Sequence, residues 1–237
     1  MPKWKMIKVL IVDDNLLYIK NILNTTINKI DNIHITHIAT NVKEALKIIT
    51  NNCIDLIFLD LKLPDGSGLE IIKKIKYLND IKKPNIIILS GDKELITSNF
   101  EQYNIINVIG KFEKDETIYN KISQSVNEIN LFNLENNIKE KIISKLTKIG
   151  YNWKYRGTQY ILETIMYIYQ HNNMDLLDNI ERNVYKYISY KHNKSINNIK
   201  TNIIKSTNSI KNHDNTVTNL TPKFVISNIL VEIINNY

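Results

Sequence analysis

Residues 7–15 read IKVLIVDDN, and a second run of the same kind, IDLIFLD, occupies residues 54–60. In both runs continuous apolar residues end abruptly in acidic ones. Apolar residues without alternation are typical of a strand that is covered on both faces, as in a parallel sheet. Outward from these runs, stretches with helical spacing alternate with further apolar runs. The predicted strands are residues 7–12, 33–39, 54–59, 86–89 and 105–109. The pattern predicts a five-stranded, doubly wound (flavodoxin-like) parallel sheet of the α/β class.

Strand patterns stop after about residue 130, and only helical spacing follows. Residues 130–137 (NLFNLENN) are polar and are predicted to be a linker or the frayed start of the next helix. This places one domain at residues 1–130 and an all-α domain of about five helices at residues 131–237. Gly150 is predicted to end the first of these helices, and Thr221 to cap the last.

Composition limits the kinds of protein that the chain can be. Its 237 residues contain one cysteine, Cys53, which excludes a disulfide framework and zinc sites built on cysteine clusters. No apolar run approaches the ~18 residues of a membrane helix, so we expect a cytoplasmic protein with no membrane partner. Residues 131–237 hold 14 basic and 8 acidic residues, and residues 182–211 hold seven basic and no acidic ones. This charge favours a polyanionic partner for the second domain.

Three acidic side chains follow two strands that the order 2-1-3-4-5 makes neighbours. They are Asp13, Asp14 and Asp60. Taken singly, each such acid is more often a helix N-cap, but three close carboxylates repel one another unless a cation intervenes. Mg²⁺ prefers such oxygen ligands and also binds phosphate oxygens. Ser90 and Lys111 end the last two strands and add a hydroxyl and an ammonium, which together predict a phosphoryl-binding site.

The first 125 residues resemble the receiver domain of two-component response regulators. The resemblance is carried by IVDDN (11–15), LIFLDLKLPDGSGLE (56–70), IIILSGD (86–92) and VIGKF (108–112). It implies that Asp60 accepts a phosphoryl group from a histidine kinase or a phosphotransfer protein. It also implies that Asp13, Asp14, Asp60 and the backbone carbonyl of Lys62 hold Mg²⁺, while Lys111 and Ser90 contact the phosphoryl group. Such a protein is no enzyme in the ordinary sense, beyond catalysing its own phosphoryl transfer and dephosphorylation.

Two positions depart from the receiver pattern. Phe112 stands where the family usually has a proline after the lysine, often with a cis bond, and we expect a trans bond here. Val108 stands where the family tends to have an aromatic residue that couples the site to the surface. Both changes leave the charges for phosphorylation in place and put signal transmission in question.

The second domain contains a predicted helix, a short break and a second helix. The first helix covers residues 176–191, the break residues 192–194, and Ser195 caps a helix that runs to about Asn208. If the isoleucines of the second helix face the core, polar side chains suited to DNA contact lie on its other side. These candidates are Lys194, Ser195, Asn197, Asn198, Lys200, Thr201 and Lys205. A helix-turn-helix module that binds double-stranded DNA has this layout; an ordinary exposed polar face is the alternative.

Residues 136–235 also resemble the DNA-binding domain of the stage zero sporulation-initiation regulators of spore-forming Firmicutes. The motifs are KLTKIGYNWKYRGTQYILETI (145–165) and TPKFVI (221–226). Asn152 replaces a family proline, and Thr201 and Ile204 replace arginines of the recognition helix. Neither Thr nor Ile can make the bidentate guanine contacts of Arg, which implies a different or more AT-rich operator, or a weaker sequence preference.

Taken together, these patterns predict a response regulator whose phosphorylation at Asp60 controls dimerisation and DNA binding, with sporulation genes as possible targets. Two alternatives stay open. One is a phosphoryl carrier whose helical domain binds protein, and the other is a DNA-binding regulator that acts without phosphorylation.

Overall fold

The structure is a computed structural model that describes residues 6–78, 83–91, 104–211 and 220–235. The chain forms two compact units that divide between Phe132 and Asn133. Asp92, part of one receiver motif, lies outside the described residues. Within the described ranges, no helix combines the length and the apolar character that crossing a membrane requires.

The first unit is built on a parallel sheet of five strands. The strands are β1 (Ile7–Val12), β2 (Ile33–Ala39), β3 (Leu56–Leu59), β4 (Asn85–Ser90) and β5 (Ile105–Gly110). Their order is β2-β1-β3-β4-β5, as predicted. A short antiparallel hairpin follows β3, in which residues 62–63 pair with residues 66–67.

Apolar side chains of this sheet pack into two separate cores, one on each face of the sheet. Ile11 and Phe58 belong to one cluster and Leu10 and Ile57 to the other, and all four are at most 2% exposed. Helices α1 (Leu16–Thr25), α2 (Val42–Asn51) and α3 (Gly68–Lys76) flank the strands. Burial on both faces explains why the strands show no polar alternation. In the sequence, the helical spacing of apolar residues runs from Leu16 to Ile30, but α1 ends at Thr25 and a 3₁₀ turn, Ile27–Lys29, follows.

Residues 130–137 form neither of the predicted structures, a linker or the frayed start of a new helix. A single helix, α4 (Asp115–Ile149), runs through them. The polar composition suggested a break, but the chain contains no Gly or Pro between Gly110 and Gly150. Without such a residue, nothing in the sequence terminates the helix.

The second unit is helical. After α4 come α5 (Arg156–His171), α6 (Lys186–His192), α7 (Ile196–Lys211) and α8 (Pro222–Asn235). The helix predicted at residues 176–191 is instead divided among a 3₁₀ turn (Met174–Leu177), a π-helical turn (Glu181–Tyr185) and α6. The apolar stripes seen in the sequence meet in one core that includes Ile142, Ile165, Val184, Ile203 and Ile229.

The helix end predicted at Gly150 and the cap predicted at Thr221 are confirmed. Gly150 has φ +100, and the N–H of Tyr151 closes the end of α4 on the carbonyl of Leu146 at 3.0 Å. The Thr221 hydroxyl accepts the N–H of Phe224 at 3.2 Å before α8. Asn193 takes the left-handed conformation between α6 and α7, with φ +50.

Candidate functional site

Strand register brings two of the predicted acids side by side. Val12 of β1 lies opposite Leu59 of β3, so Asp13 and Asp60 leave the sheet together. The N–H of Asp60 donates to the carbonyl of Val12 at 2.8 Å. Both side chains are nearly buried, with 2% and 7% exposure. The sheet itself therefore fixes the separation of these carboxylates.

Asp14 completes a cluster that suits a divalent cation. One carboxylate oxygen from each of Asp13, Asp14 and Asp60 lies within 4.8 Å of the others, and Asp14 is exposed to solvent. The site thus offers three hard oxygen ligands with an open side, which is the arrangement that Mg²⁺ accepts while keeping some of its waters. The side chains present fit Mg²⁺.

Lys111 enters this cluster from the end of β5. Its ammonium lies 2.7 Å from Asp13 Oδ2 and 2.5 Å from Asp60 Oδ2. Three carboxylates and one ammonium leave a formal charge that a divalent cation cancels. Ser90 ends the neighbouring strand, is 1% exposed, and accepts the N–H of Lys111 on its carbonyl at 2.8 Å. The sequence-predicted Ser90 and Lys111 thus lie on adjacent strand ends.

Burial and hydrogen bonding act in opposite directions on Asp13. Burial raises the pKa of its carboxyl above the ordinary value, and the contact with Lys111 and the N–H of Asn15 offset only part of that effect. Asp60 adds a further increase by repulsion. A divalent cation at this cluster would stabilise the ionised carboxylates and so oppose this increase in the pKa of Asp13.

A backbone hydrogen bond connects the loop after Asp60 to the Asp60 side chain. The N–H of Lys62 donates to Asp60 Oδ1 at 3.3 Å, while the role of the Lys62 carbonyl as a metal ligand stays a prediction. Neither Gly66 nor Gly68 in this loop has a positive φ, so neither is needed for a left-handed backbone conformation. Gly68 is required for another reason: a Cβ there would lie 2.4 Å from the carbonyl oxygen of Asp60.

Gly68→Ala is expected to displace the backbone of Asp60 and to lower the free energy of unfolding by about 1–3 kcal/mol, the usual cost of overpacking. Phosphorylation by acetyl phosphate should slow in the same variant. Urea unfolding and a labelling time course measure the two effects. Gly91→Ala is the control, since its Cβ would meet nothing within 4 Å. Equal stability of the two variants would contradict the close approach.

Asp65 connects the same loop to α2. Its carboxylate accepts the N–H of Val42 at 2.7 Å and that of Lys43 at 3.0 Å, both in the first turn of the helix. The hydrogen bond from Val42 is the largest influence, and it holds the pKa of Asp65 below its ordinary value of 3.8. An anion at a helix N-terminus is favourable in general.

Asp65→Asn is expected to lower the stability of the protein at neutral pH. Because the folded pKa is depressed, the ionised carboxylate contributes stability above pH 3.8, and that contribution is lost as the pH falls through the folded pKa. The difference between wild type and variant should therefore shrink below about pH 4 in chemical unfolding at several pH values. Asp31→Asn changes an exposed acid and serves as the control. A difference that stays constant down to pH 3 would contradict the ionic contribution.

The two departures from the receiver pattern have visible structural consequences. The bond before Phe112 is trans, as predicted. The ring of Phe112 folds over Gly110, where a Cβ would lie 2.7 Å from it. Glu113 accepts the N–H of Gly110 at 2.8 Å and pairs with Lys121 at 2.6 Å, which anchors this loop. Val108 is half-buried beside the core under α2 and α3.

Similarity to known proteins agrees with this geometry. The family model of the response regulator receiver domain matches residues 9–123. Sporulation initiation phosphotransferase F of Bacillus subtilis is 33% identical over 109 residues, which are 46% of this chain and 86% of that protein. The chain belongs to the response regulator receiver family. Receivers typically bind Mg²⁺, and the three-carboxylate cluster of this receiver fits that ion.

Another relative matches this chain over about half of its own length. Sensory transduction protein LytR of Staphylococcus epidermidis is 32% identical over 137 residues, 58% of this chain and 51% of that protein. The chain thus spans about half the length of that relative. A crystal structure of the response regulatory domain of protein mrkE from Klebsiella pneumoniae is 25% identical, with a TM-score of 0.47 over 52% of this chain and 98% of that one.

The helical unit places the predicted DNA-contacting residues along one helix and its preceding turn. Ser195 caps α7, accepting the N–H of Asn198 at 3.2 Å, and Ile199 and Ile203 are buried. The solvent-exposed candidates are Lys194, Ser195, Asn197, Asn198, Thr201 and Lys205. Lys200 differs from them: it is half-buried, and its ammonium pairs with Glu181 at 2.6 Å.

Sequence reasoning missed a basic residue near that turn. Arg156, at the start of α5, lines a cleft of about 220 Å³ together with Gln159, Tyr160, His192 and Lys194. Arg156 stands 38 residues before Lys194 in the chain, so local patterns could not pair them. Its one available signal was rarity, since the chain has only two arginines, Arg156 and Arg182.

The turn itself is braced from α5. Glu163 lies 2.9 Å from His192 Nε2 and 3.3 Å from Lys191 Nζ. Burial works to raise the pKa of Glu163, but the hydrogen bonds from Gln159 and His192 outweigh it and hold the pKa below its ordinary value. These contacts fix the end of α6 and hence the start of α7.

Proposed function

We propose that the chain is a cytoplasmic response regulator in which phosphorylation of Asp60 controls the binding of DNA by the helical unit. The observation that carries the proposal is the position of Lys111, whose ammonium contacts both Asp13 and Asp60 at the edge of a three-carboxylate cluster. A half-buried lysine there balances charge before phosphorylation and is ready to bind the phosphoryl group afterwards. The donor would be a histidine kinase or a phosphotransfer protein.

The proposed reaction transfers PO₃ from an oxygen or nitrogen atom of the donor to a carboxylate oxygen of Asp60. A carboxylate oxygen of Asp60 forms a bond to phosphorus, while the bond from phosphorus to the donor atom breaks and its electron pair leaves with the donor. Asp13, Asp14 and Asp60 would hold Mg²⁺, which when bound neutralises charge on the phosphoryl oxygens. Lys111 and the Ser90 hydroxyl then compensate the charge that the product retains.

The DNA half of the proposal is supported by the exposed side of α7 and the adjoining cleft. Asn197, Asn198 and Thr201 are exposed and have the groups that read base edges. Arg156 and Lys194 line the cleft beside them, and we assign these two residues to backbone phosphates. Phosphorylation would favour a homodimer that occupies paired half-sites. The resemblance to stage zero regulators makes sporulation genes the first targets to examine.

Binding of the full chain to an AT-rich duplex, measured by fluorescence anisotropy at several salt concentrations, tests this proposal. Beryllofluoride with Mg²⁺ should raise the affinity in wild type and leave it unchanged in Asp60→Ala. Each phosphate contact adds about −0.9 to the slope of log affinity against log salt, so Arg156→Ala and Lys194→Ala should each flatten it by about that amount. Lys20→Ala, an exposed lysine of the receiver, should leave the slope unchanged. Salt-independent binding, or equal affinity with and without beryllofluoride, would contradict the proposal.

A phosphoryl carrier is the second candidate, and the state of α7 favours it. Lys200 is already paired with Glu181, and Ile204 presents an apolar, 39% exposed side chain where stage zero regulators have arginine. Both features weaken a DNA surface and suit a protein partner. The absence of salt-dependent duplex binding, combined with phosphoryl transfer from Asp60 to a phosphotransfer histidine, would select this candidate. Promoter occupancy that is equal with and without phosphorylation would instead favour a DNA-binding regulator that acts without phosphorylation.

A further inference from the structure

Tyr18 occupies the first turn of α1, directly beside the phosphoacceptor cluster. Its N–H donates to the Asn15 side chain, which caps the helix, at 3.0 Å. Its side chain is half-buried and packs against the core cluster that contains Ile11 and Ile109, residues of the strands that Asp13 and Lys111 directly follow. Both the backbone and the ring of Tyr18 are thus fixed relative to the strand ends.

The ring of Tyr18 supports the ammonium of Lys111. Lys111 Nζ lies 4.7 Å from the ring centroid, while the same nitrogen contacts Asp13 at 2.7 Å and Asp60 at 2.5 Å. An aromatic face attracts a cation at this distance, and the attraction strengthens where water is excluded. The ammonium is therefore held by an uncharged partner as well as by two charged ones.

This distinction matters when Asp60 changes. Phosphorylation converts one carboxylate into a mixed anhydride and adds new oxygens, so Lys111 must exchange its contact with Asp60 Oδ2 for one with the phosphoryl group. Asp13 is a competing partner 2.7 Å away. The ring contact does not depend on the state of Asp60 and can keep the ammonium at the site during the exchange.

The hydroxyl of Tyr18 has unusual surroundings for a buried polar group. Within the described residues it is buried and has no hydrogen-bond partner, whereas buried polar groups are nearly always paired. Burial raises the pKa of Tyr18 far above its ordinary value, and repulsion from Asp13, Asp60 and Asp115 adds to the increase. The residue is therefore neutral at physiological pH, and its ring keeps the charge distribution that a cation contact needs.

We propose that Tyr18 is a positioning residue for phosphoryl transfer at Asp60, acting through its ring on the ammonium of Lys111. The inference rests on the proposed phosphorylation of Asp60 and adds to it a residue that the receiver motifs do not contain. Tyr18→Leu removes the ring, and we expect the rate of phosphorylation by acetyl phosphate with Mg²⁺ to fall about 3- to 30-fold, the range that a cation contact of this kind accounts for. Tyr18→Phe keeps the ring and should stay within about 2-fold of wild type.

A double-mutant cycle separates this role from a general loss of structure. In the Lys111→Ala background, Tyr18→Leu should have no further effect on the rate, because the ring then has no cation to hold. Mg²⁺ affinity, measured by calorimetry, should not fall in Tyr18→Leu, since the three carboxylates remain; a collapsed site would bind Mg²⁺ more weakly. Tyr77→Leu, at a 75% exposed tyrosine after α3, is the matched control.

Each outcome of this experiment decides something. Wild type that takes up no phosphoryl group would overturn both the proposed function and this inference. Wild type that is labelled while Tyr18→Leu keeps its rate, or loses the same factor with and without Lys111, would overturn the inference alone. A parallel loss in Tyr18→Phe would also overturn it, because the hydroxyl rather than the ring would then be the active part.

Discussion

Asp60→Asn is expected to abolish phosphoryl uptake completely. The amide that replaces the carboxylate is a poor nucleophile, and it loses the charge that Lys111 now balances at 2.5 Å. Asp13 lies close by but is 2% exposed and already bound by Lys111 and by the N–H of Asn15. We therefore expect it not to substitute. Intact-protein mass spectrometry after incubation with acetyl phosphate and Mg²⁺ would show one added PO₃ in wild type and none in the variant.

The control for this experiment is an acid of the same unit outside the cluster. Asp31→Asn changes an exposed residue and should be labelled like wild type. Removing Mg²⁺ with a chelator should suppress labelling in both. Phosphoryl uptake by Asp60→Asn at the wild-type rate would show that another residue is the phosphoacceptor. It would also contradict the role proposed for Lys111 beside Asp60.

Gly157→Ala is expected to destabilise the helical unit strongly. A Cβ at residue 157 would lie 2.0 Å from the carbonyl oxygen of Asn202, a backbone atom of α7 that cannot rotate away. A glycine-to-alanine change in a helix ordinarily stabilises a protein by about 0.4–1 kcal/mol. Here the sign should reverse, with a loss of about 1–3 kcal/mol or more as α5 and α7 are forced apart. The side-chain hydrogen bond between these helices, Thr158 with Ser206 at 2.7 Å, would be strained as well.

Urea unfolding followed by circular dichroism measures this effect, and Gly91→Ala provides the same chemical change at an open site. DNA binding should weaken together with stability, because α7 carries the proposed base contacts. If Gly157→Ala were as stable as wild type, the close approach of the two helices would be contradicted, and with it the placement of α7.

The receiver half could be predicted closely because its signals are local. A continuous apolar strand ends in an acid, and once the strand order makes the two strands neighbours, their parallel register brings Asp13 and Asp60 together. Lys111 and Ser90 follow from the same rule applied to the last two strands. The helical half was harder: apolar stripes predicted its core, yet they could not show that residues 176–191 form three different helical turns.

What the sequence could not show depends on contacts between distant residues. Gly68 is needed because of the Asp60 carbonyl, and Gly157 because of the Asn202 carbonyl, and neither close approach can be read from the sequence. The pairing of Lys200 with Glu181 and the position of Arg156 at the cleft depend on how the helices pack. Tyr18 resembles any helical tyrosine until Lys111 is placed over its ring.

The central claim is that Asp60 captures a phosphoryl group at a Mg²⁺-dependent site. The most direct measurement is to label the wild-type chain with acetyl phosphate and Mg²⁺, reduce the product with borohydride, and map the modified residue by peptide mass spectrometry, because reduction converts an aspartyl phosphate to homoserine. We predict homoserine at position 60 alone, and only when Mg²⁺ is present. Homoserine at another position, or unmodified Asp60 after full incubation, would contradict the account.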